Sequence, residues 1–314
     1  MFVIRNKKIF IGISLTLVAL SILSIIVFGL KPGIDFTGGS AIQLKYNNDR
    51  PDISFIEESL ENAGFGETIV QPTGENGVVI KTHTLTDNER SSVIEVATHH
   101  GESPAIQESY TAIGPSVGKE LTNKALISVI LVFISIIFFV AYAFRKVSKP
   151  VRPDDKVGRV SSWKYGFVVI LTLLHDVIIP AGVFAVLGHI ISAEVDTLFV
   201  VALLTTFALS ISDTIVVFDR IRENLTPKEG EDEKKIEEPV FSEVVGKSLS
   251  ETYVRSMNTS ILVLVSVLSL AVFGPKSTQI FAVMLSIGMF VGTYSSIFLA
   301  SPLLVLMENK NKKR

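Results

Sequence analysis

The chain has 314 residues, 48% of them hydrophobic, with a formal net charge of −2 and no cysteine. Near-balanced charge leaves no electrostatic footprint for nucleic acid, and the missing thiols exclude disulfides, thiolate metal sites and cysteine nucleophiles. The apolar residues are gathered into long runs, which is the composition of a polytopic membrane protein.

Six runs can span a bilayer: 9–30, 123–144, 165–187, 197–218, 256–273 and 278–306. The first follows Arg5, Lys7 and Lys8 and lacks a small-residue cleavage site. It reads as an uncleaved anchor, so residues 1–30 form a cytoplasmic N-terminus and first transmembrane helix. Directly after it comes Gly33-Ile34-Asp35-Phe36-Thr37-Gly38-Gly39-Ser40. A glycine-rich segment cradles phosphate when it leads into a helix N-terminus, but this one leads into a strand pattern, so turn geometry is the reading.

Residues 31–122 form one extracytoplasmic segment of about 90 residues, enough for a small domain. Strands are expected at 40–46, 68–71, 78–84 and 106–113, and helices at 52–63 and 86–100. Asp52 and Thr86 are N-caps, Gly64 is a stop signal, and Gly74-Glu75-Asn76-Gly77 is a hairpin turn. The order describes a compact α+β domain of ferredoxin-like type.

Residues 123–314 hold the other five helices, cytoplasmic loops at 145–164 and 219–255, and a cytoplasmic C-terminus. In the third span, His175 and Asp176 lie near the middle, and Pro180 has no N–H for the Asp176 carbonyl. They form either a proton relay or a polar helix contact. The fourth span carries Asp213 inside an apolar run. An isolated carboxylate at that depth costs about 2.5–3.5 kcal/mol by insertion scales, so it faces the protein interior, pairs, or takes up a proton. Thr206, Ser210 and Asp213 fall on one helical face with Thr214 alongside, which marks a buried or water-lined seam.

Asp219-Arg220-Ile221-Arg222-Glu223 closes that span as interfacial anchors. The stretch 226–238 is a solvated charged loop, and 241–254 has the spacing of a helix lying along the inner membrane face. The fifth span is short, since 261–273 covers only about 20 Å, so it extends back through 256–260 and brings Arg255 to the membrane edge. In the sixth span Gly288, Gly292 and Ser296 repeat every four residues and admit a close helix neighbour. That run ends near Pro302 or passes the interface.

Basic residues set the orientation. Arg145, Lys146, Lys149, Arg152, Lys156, Arg159 and Lys164 follow the second span, and Lys310, Lys312, Lys313 and Arg314 close the chain, whereas loops 188–196 and 274–277 hold only Lys276. Both termini are therefore cytoplasmic. No HExxH or comparable ligand cluster occurs, so no metal or cofactor is expected. A permanently charged guanidinium at Arg255 can hold a nearby carboxylate ionised, which makes Asp213 and Arg255 the candidate proton-coupling pair.

The glycine-rich segment 33–40, His175-Asp176 in the third span and Ser212-Asp-Thr-Ile-Val-Val-Phe-Asp-Arg-Ile-Arg-Glu-Asn224 in the fourth together resemble the SecF family. Members of that family are the smaller component of the SecDF protein-export complex, related to resistance-nodulation-division transporters. Residues 252–260, with Arg255, are similar to the family's entry to its fifth span. The resemblance covers essentially the whole chain and implies an inner-membrane, multi-pass, non-enzymatic subunit. It also implies SecD, the SecYEG translocon and an unfolded preprotein as partners, with the proton-motive force driving export. On it, Asp213 matches the proton-carrying carboxylate and Arg255 its basic partner. Ser212 stands where an asparagine is frequent, and 226–238 is longer than the usual loop. The rival readings are half of a proton-coupled small-molecule or lipid exporter, and a scaffold with Asp213 in a static ion pair. An intramembrane protease would need GxGD or a serine–base motif, and neither appears within a span.

Overall fold

The computed structural model describes residues 2–66, 68–144, 162–225 and 240–311. Arg145, Lys146, Lys149, Arg152, Lys156 and Arg159, the charged stretch 226–238, and Lys312, Lys313 and Arg314 lie outside them. Among the described residues six helices are long and apolar enough to cross a membrane. In chain order the elements are α1 (Phe2–Arg5), α2 (Lys7–Phe28), α3 (Ile34–Thr37), β1 (Gly39–Tyr46), α4 (Ile53–Asn62), β2 (Ile69–Thr73) and β3 (Gly77–Thr82). They continue with α5 (Asp87–Ala97), β4 (Ala105–Ile113), α6 (Pro115–Ala143), α7 (Ser162–Ile190), α8 (Thr197–Leu225) and α9 (Phe241–Phe273). The last long helix runs through α10 (Lys276–Tyr294), a π-helical stretch Ser295–Ala300, and α11 (Ser301–Asn311). The chain divides into two compact units, one drawn from Leu30–Ser128 and Gly188–Val200, the other from Met1–Gly29, Val129–Leu187 and Val201–Arg314.

The first unit holds a four-stranded antiparallel sheet in the order β2-β3-β1-β4, with α4 and α5 in the two crossovers, the ferredoxin-like arrangement. Alternation along β1 buries Ile42, Leu44 and Tyr46 against Ile56 and Leu60 of α4 and Val93 and Ala97 of α5. Each aliphatic side chain removed from water contributes about 1.5–3 kcal/mol. The Tyr46 hydroxyl donates to the Ala97 carbonyl at 2.8 Å, and burial pushes its pKa up to about 12, so it stays a donor. Asp52 caps α4 through the Ser54 N–H. Thr86 and Glu89 close a reciprocal capping box on α5. The Thr86 bonds hold the exposed Glu89 carboxylate below the usual range.

The glycine-rich segment is a single helical turn, α3, closed by two glycines in the left-handed half of backbone space. Gly38 has φ 77°, and a Cβ there would lie 2.9 Å from Pro115 Cα. Gly39 has φ 145°, and a Cβ would meet the Thr82 carbonyl oxygen at 2.6 Å. The segment also grips the loop before α8: Gly33 N–H donates to the Val195 carbonyl at 2.8 Å, and Asp35 Oδ2 accepts from Thr197 N–H at 2.9 Å. From the sheet, Lys81 pairs with Glu194 at 3.1 Å and Gln71 donates to the Ser192 carbonyl at 2.7 Å. Turn geometry is thus only part of what these residues do, because Asp35 and Asp196 together cap α8.

Asp196 Oδ1 accepts from the Phe199 N–H at 2.7 Å. Burial pushes its carboxyl above the usual 3.8, with the charge of Asp35 adding and the Phe199 bond opposing. The folded chain therefore holds this proton more tightly than the unfolded one. Its stabilising contribution is present below pH about 4 and is lost as pH rises through the folded value. Asp196→Asn keeps an oxygen for the Phe199 N–H and removes the buried charge. A higher Tm at neutral pH, with no gain in acid, is the expected result of a thermal melt.

In the second unit, aromatic packing centres on Tyr165 of α7, stacked on Phe144 at 5.1 Å and edge-on to Phe218 of α8 at 5.2 Å. Lys164 and Glu308 form an ion pair at 2.7 Å between α7 and α11. One expectation changes here: 241–254 is no separate element, and α9 is one unbroken helix of 33 residues, because no proline and only Gly246 interrupt it. Of the two endings left open for the last helix, the longer one holds: it runs on to Asn311, past Pro302. The π-helical turn just before it re-registers the backbone where a proline ring would clash with the preceding turn.

Candidate functional site

Helix α8 is the axis of the site. Thr206, Ser210 and Thr214 are buried along one face, with spacing of four residues. That face meets Gly288, Gly292 and Ser296 of the last helix. A Cβ on Gly288 would collide with Thr206 Oγ1, and one on Gly292 would lie 2.9 Å from Ser210 Cβ. Ser296 Oγ lies 2.9 Å from Thr214 Oγ1. The small-residue repeat and the hydroxyl stripe are therefore two halves of one seam.

Asp213 is not on that seam. It turns towards α9, half-buried, and its Oδ2 accepts from Ser260 Oγ at 2.9 Å. A pocket of about 50 Å³ adjoins it, lined by Ser210, Ser212, Asp213, Thr259, Ser260 and Thr293 among others. By that measure a water needs on the order of 10–15 Å³, so the carboxyl has room for water beside it.

Arg255 is exposed and forms no ion pair with Asp213. It lines a second pocket of about 480 Å³ with Asp219, Arg220, Glu223, Glu251 and Thr252. It sits five residues before Ser260 on the same helix, about 7.5 Å along the axis. Between α8 and α9 runs a polar clasp: Arg220 Nε donates to Glu251 Oε2 at 2.6 Å, and Asn224 Nδ2 to Glu251 Oε2 at 2.9 Å and to Ser248 Oγ at 2.8 Å. Arg220 therefore joins two helices as well as anchoring one, while Arg222 pairs with Asp219 at 2.5 Å.

Among the described residues the most deeply buried carboxylate is Asp176, with 0% exposure. Its Oδ1 lies 2.8 Å from His175 Nδ1. Its Oδ2 accepts a short hydrogen bond from Ser210 Oγ and one from Ser295 Oγ at 2.7 Å. The structure thus brings His175, Asp176 and Ser210 together, leaves Thr206 and Thr214 to packing, and sets Asp213 one turn from Ser210. Ser260 and Ser295 were not singled out from sequence. Ser295 owes its place to the π-helical turn, which lets consecutive serines at 295 and 296 both point inward. Among the described residues no group of three His, Asp or Glu side chains is placed to hold a metal ion.

Six membrane-length helices, an α+β unit inserted after the first, and carboxylates held between helices define a multi-pass membrane protein with a polar interior. The family model for the C-terminal part of the protein-export membrane proteins SecD and SecF matches residues 93–149 and 157–310, and the SecD/SecF GG motif matches 23–49. The chain belongs to the SecD/SecF family of protein-export membrane proteins. It is similar to the protein translocase subunit SecF of Thermobaculum terrenum, 36% identical over 98% of this chain and 94% of that one. It is also similar to protein translocase subunit SecDF of Bacillus subtilis, 28% identical over 100% of this chain and 39% of the relative. Among solved structures it resembles SecDF of Thermus thermophilus, a translocon-associated membrane protein, with a TM-score of 0.80 and 30% identity. That match covers 98% of this chain and 38% of SecDF. A super-membrane-facing form of SecDF matches with a TM-score of 0.66 and 29% identity.

Proposed function

We propose that this chain is the SecF-type subunit of a proton-driven accessory complex that promotes preprotein translocation across the cytoplasmic membrane. The observation that carries the coupling is Asp213: a carboxylate in the middle of α8, bonded to Ser260 across α9 and bordered by a water-sized pocket. Both termini are assigned to the cytoplasm and the α+β unit to the outer side of the inner membrane. The partners on this reading are SecD, the SecYEG translocon and an unfolded preprotein, within a lipid bilayer and without nucleic acid, cofactor or enzymatic chemistry. Relatives matched over nearly their whole length carry translocase-subunit names, which favours export over small-molecule or lipid efflux.

In the arrangement seen, Asp213 is held by a neutral hydroxyl while Arg255 stands off among carboxylates. A shift of α9 along α8 that draws Arg255 towards Asp213 favours the ionised carboxylate, and the reverse shift favours the neutral one. Proton entry and helix position are thereby linked. One charge crossing about 150 mV supplies roughly 3–4 kcal/mol, enough to move a two-state equilibrium by two to three decades. Asp35 and Asp196 cap the start of the same helix that carries Asp213.

The test is translocation of a secretory precursor into inverted membrane vesicles, with and without an imposed proton gradient. Asp213→Asn is expected to remove the gradient-dependent part while leaving complex assembly intact. Unchanged gradient dependence in that variant would support the static scaffold instead.

A further inference from the structure

Resting on that proton-coupling reading, we infer that Asp176 with His175 is a second proton-binding site, wired to Asp213 through the hydroxyl of Ser210. Three polar groups converge on the Asp176 carboxyl from three elements: His175 Nδ1 on α7, Ser210 Oγ on α8 and Ser295 Oγ on the π-helical turn, the two hydroxyls as donors. A structural carboxylate needs no such access to a second acid, yet Ser210 also lines the pocket beside Asp213. Ser210 and Asp213 are three residues apart on one helix, neighbours at about 5–6 Å between Cβ atoms. The pocket has room for a water across that gap.

The far side of the pair is open to a proton as well. With Nδ1–H given to Asp176, the His175 Nε2 atom is buried and has no hydrogen-bond partner among the described residues. Among the described residues the buried Ser14 hydroxyl of α2 has no hydrogen-bond partner either. The two belong at one level. Helices α2 and α7, the first and third spans, run in the same direction, and a Cβ on Gly182 would lie 2.5 Å from Ser21 Cα. Seven residues before that contact, two turns on each helix, come Ser14 and His175. The Tyr294 ring covers the imidazole at 6.3 Å between centroids, and its hydroxyl donates to the Phe10 carbonyl. Among the described residues no Lys or Arg pairs with Asp176, and His175 is the ionisable group that touches it.

The transfer balances. A water protonated by the neutral Asp213 carboxyl gives a proton to Ser210 Oγ as Ser210 passes its own proton to Asp176 Oδ2. Asp213 is left ionised, Asp176 neutral, and Ser210 unchanged once its hydroxyl rotates back. With Asp176 ionised, the free Nε2 lone pair of His175 takes up a proton instead, giving an imidazolium that stays bonded through Nδ1–H to the carboxylate.

Infrared difference spectroscopy of the full chain in lipid nanodiscs, across a pH jump, reads carboxyl protonation directly. Two carboxylic C=O bands are expected, one lost in Asp213→Asn and the other in Asp176→Asn. Ser210→Ala should keep both bands but slow the second by on the order of 100-fold, and Ser210→Thr should restore the rate. The Ser210 pair covers the case in which Asp176→Asn fails to fold. If only the Asp213 band appears, or if Ser210→Ala leaves the rate unchanged, the second site falls while the function of Asp213 stands. If neither band appears, both readings fall.

Discussion

Gly288→Leu is expected to be the most damaging single substitution in the helical unit. Any side chain at 288 must enter the space of Thr206 Oγ1. Thr206 cannot step aside, because its Cβ is branched and its hydroxyl is bonded to the Ala202 carbonyl at 2.9 Å. Overpacking a core costs about 1–3 kcal/mol and more when neighbours are fixed, so a loss of about 3 kcal/mol is the reasonable figure here. The seam also positions Ser210 and Ser295 on Asp176, so separating α8 from α10 would strand a buried carboxylate. Thermal unfolding in nanodiscs should show the fall in Tm, and Gly288→Leu combined with Thr206→Gly should recover part of it. An unchanged melt for the single variant would mean the helices do not meet at this point.

Gly39→Ala is expected to be the most damaging change in the α+β unit. A φ of 145° is open to glycine and strained for alanine, at a cost of about 1–3 kcal/mol. The added methyl would also press on the Thr82 carbonyl, next to the Ser40–Thr82 pairing that sets the register of β1 on β3. The α3 turn and its hold on the loop before α8 depend on the same backbone. Limited proteolysis of the full chain should show residues 31–122 becoming labile. Gly64→Ala is the control: its φ is 89° with no atom near the new Cβ, so it carries strain without collision. Equal protease sensitivity in the two variants would contradict the clash.

Much of this architecture was legible in the chain. Alternation at Ile42, Leu44 and Tyr46, the Asp52 and Thr86 caps, and the hairpin at Gly74 to Gly77 led directly to the ferredoxin-like unit. The apolar runs led to six helices. The polar partners inside the bundle were less accessible, for a physical reason. A helix apolar on nearly every side has no amphipathic stripe to fix its rotation, so sequence spacing says which residues share a face but not what that face meets. Asp213 and Ser210 were grouped on one face, yet a turn of about 60° between them directs one to α9 and the other to α7. Ser260 sat in a run read only as the entry to a span. Ser295 becomes a ligand of Asp176 only because a π-helical turn displaces the register of the last helix, and no residue pattern announces such a turn. Arg255 was chosen for its charge, and charge alone does not say that it faces Asp219, Glu223 and Glu251 rather than Asp213.

Proton movement is the most direct measure of the coupling assigned to Asp213. The chain and its SecD partner are reconstituted into vesicles containing a pH indicator, and a potential, negative inside, is imposed across the membrane. Acidification of the vesicle interior that is lost in Asp213→Asn and kept in Ser212→Ala is the expected outcome. Acidification of equal rate in Asp213→Asn would show that the proton travels by another route.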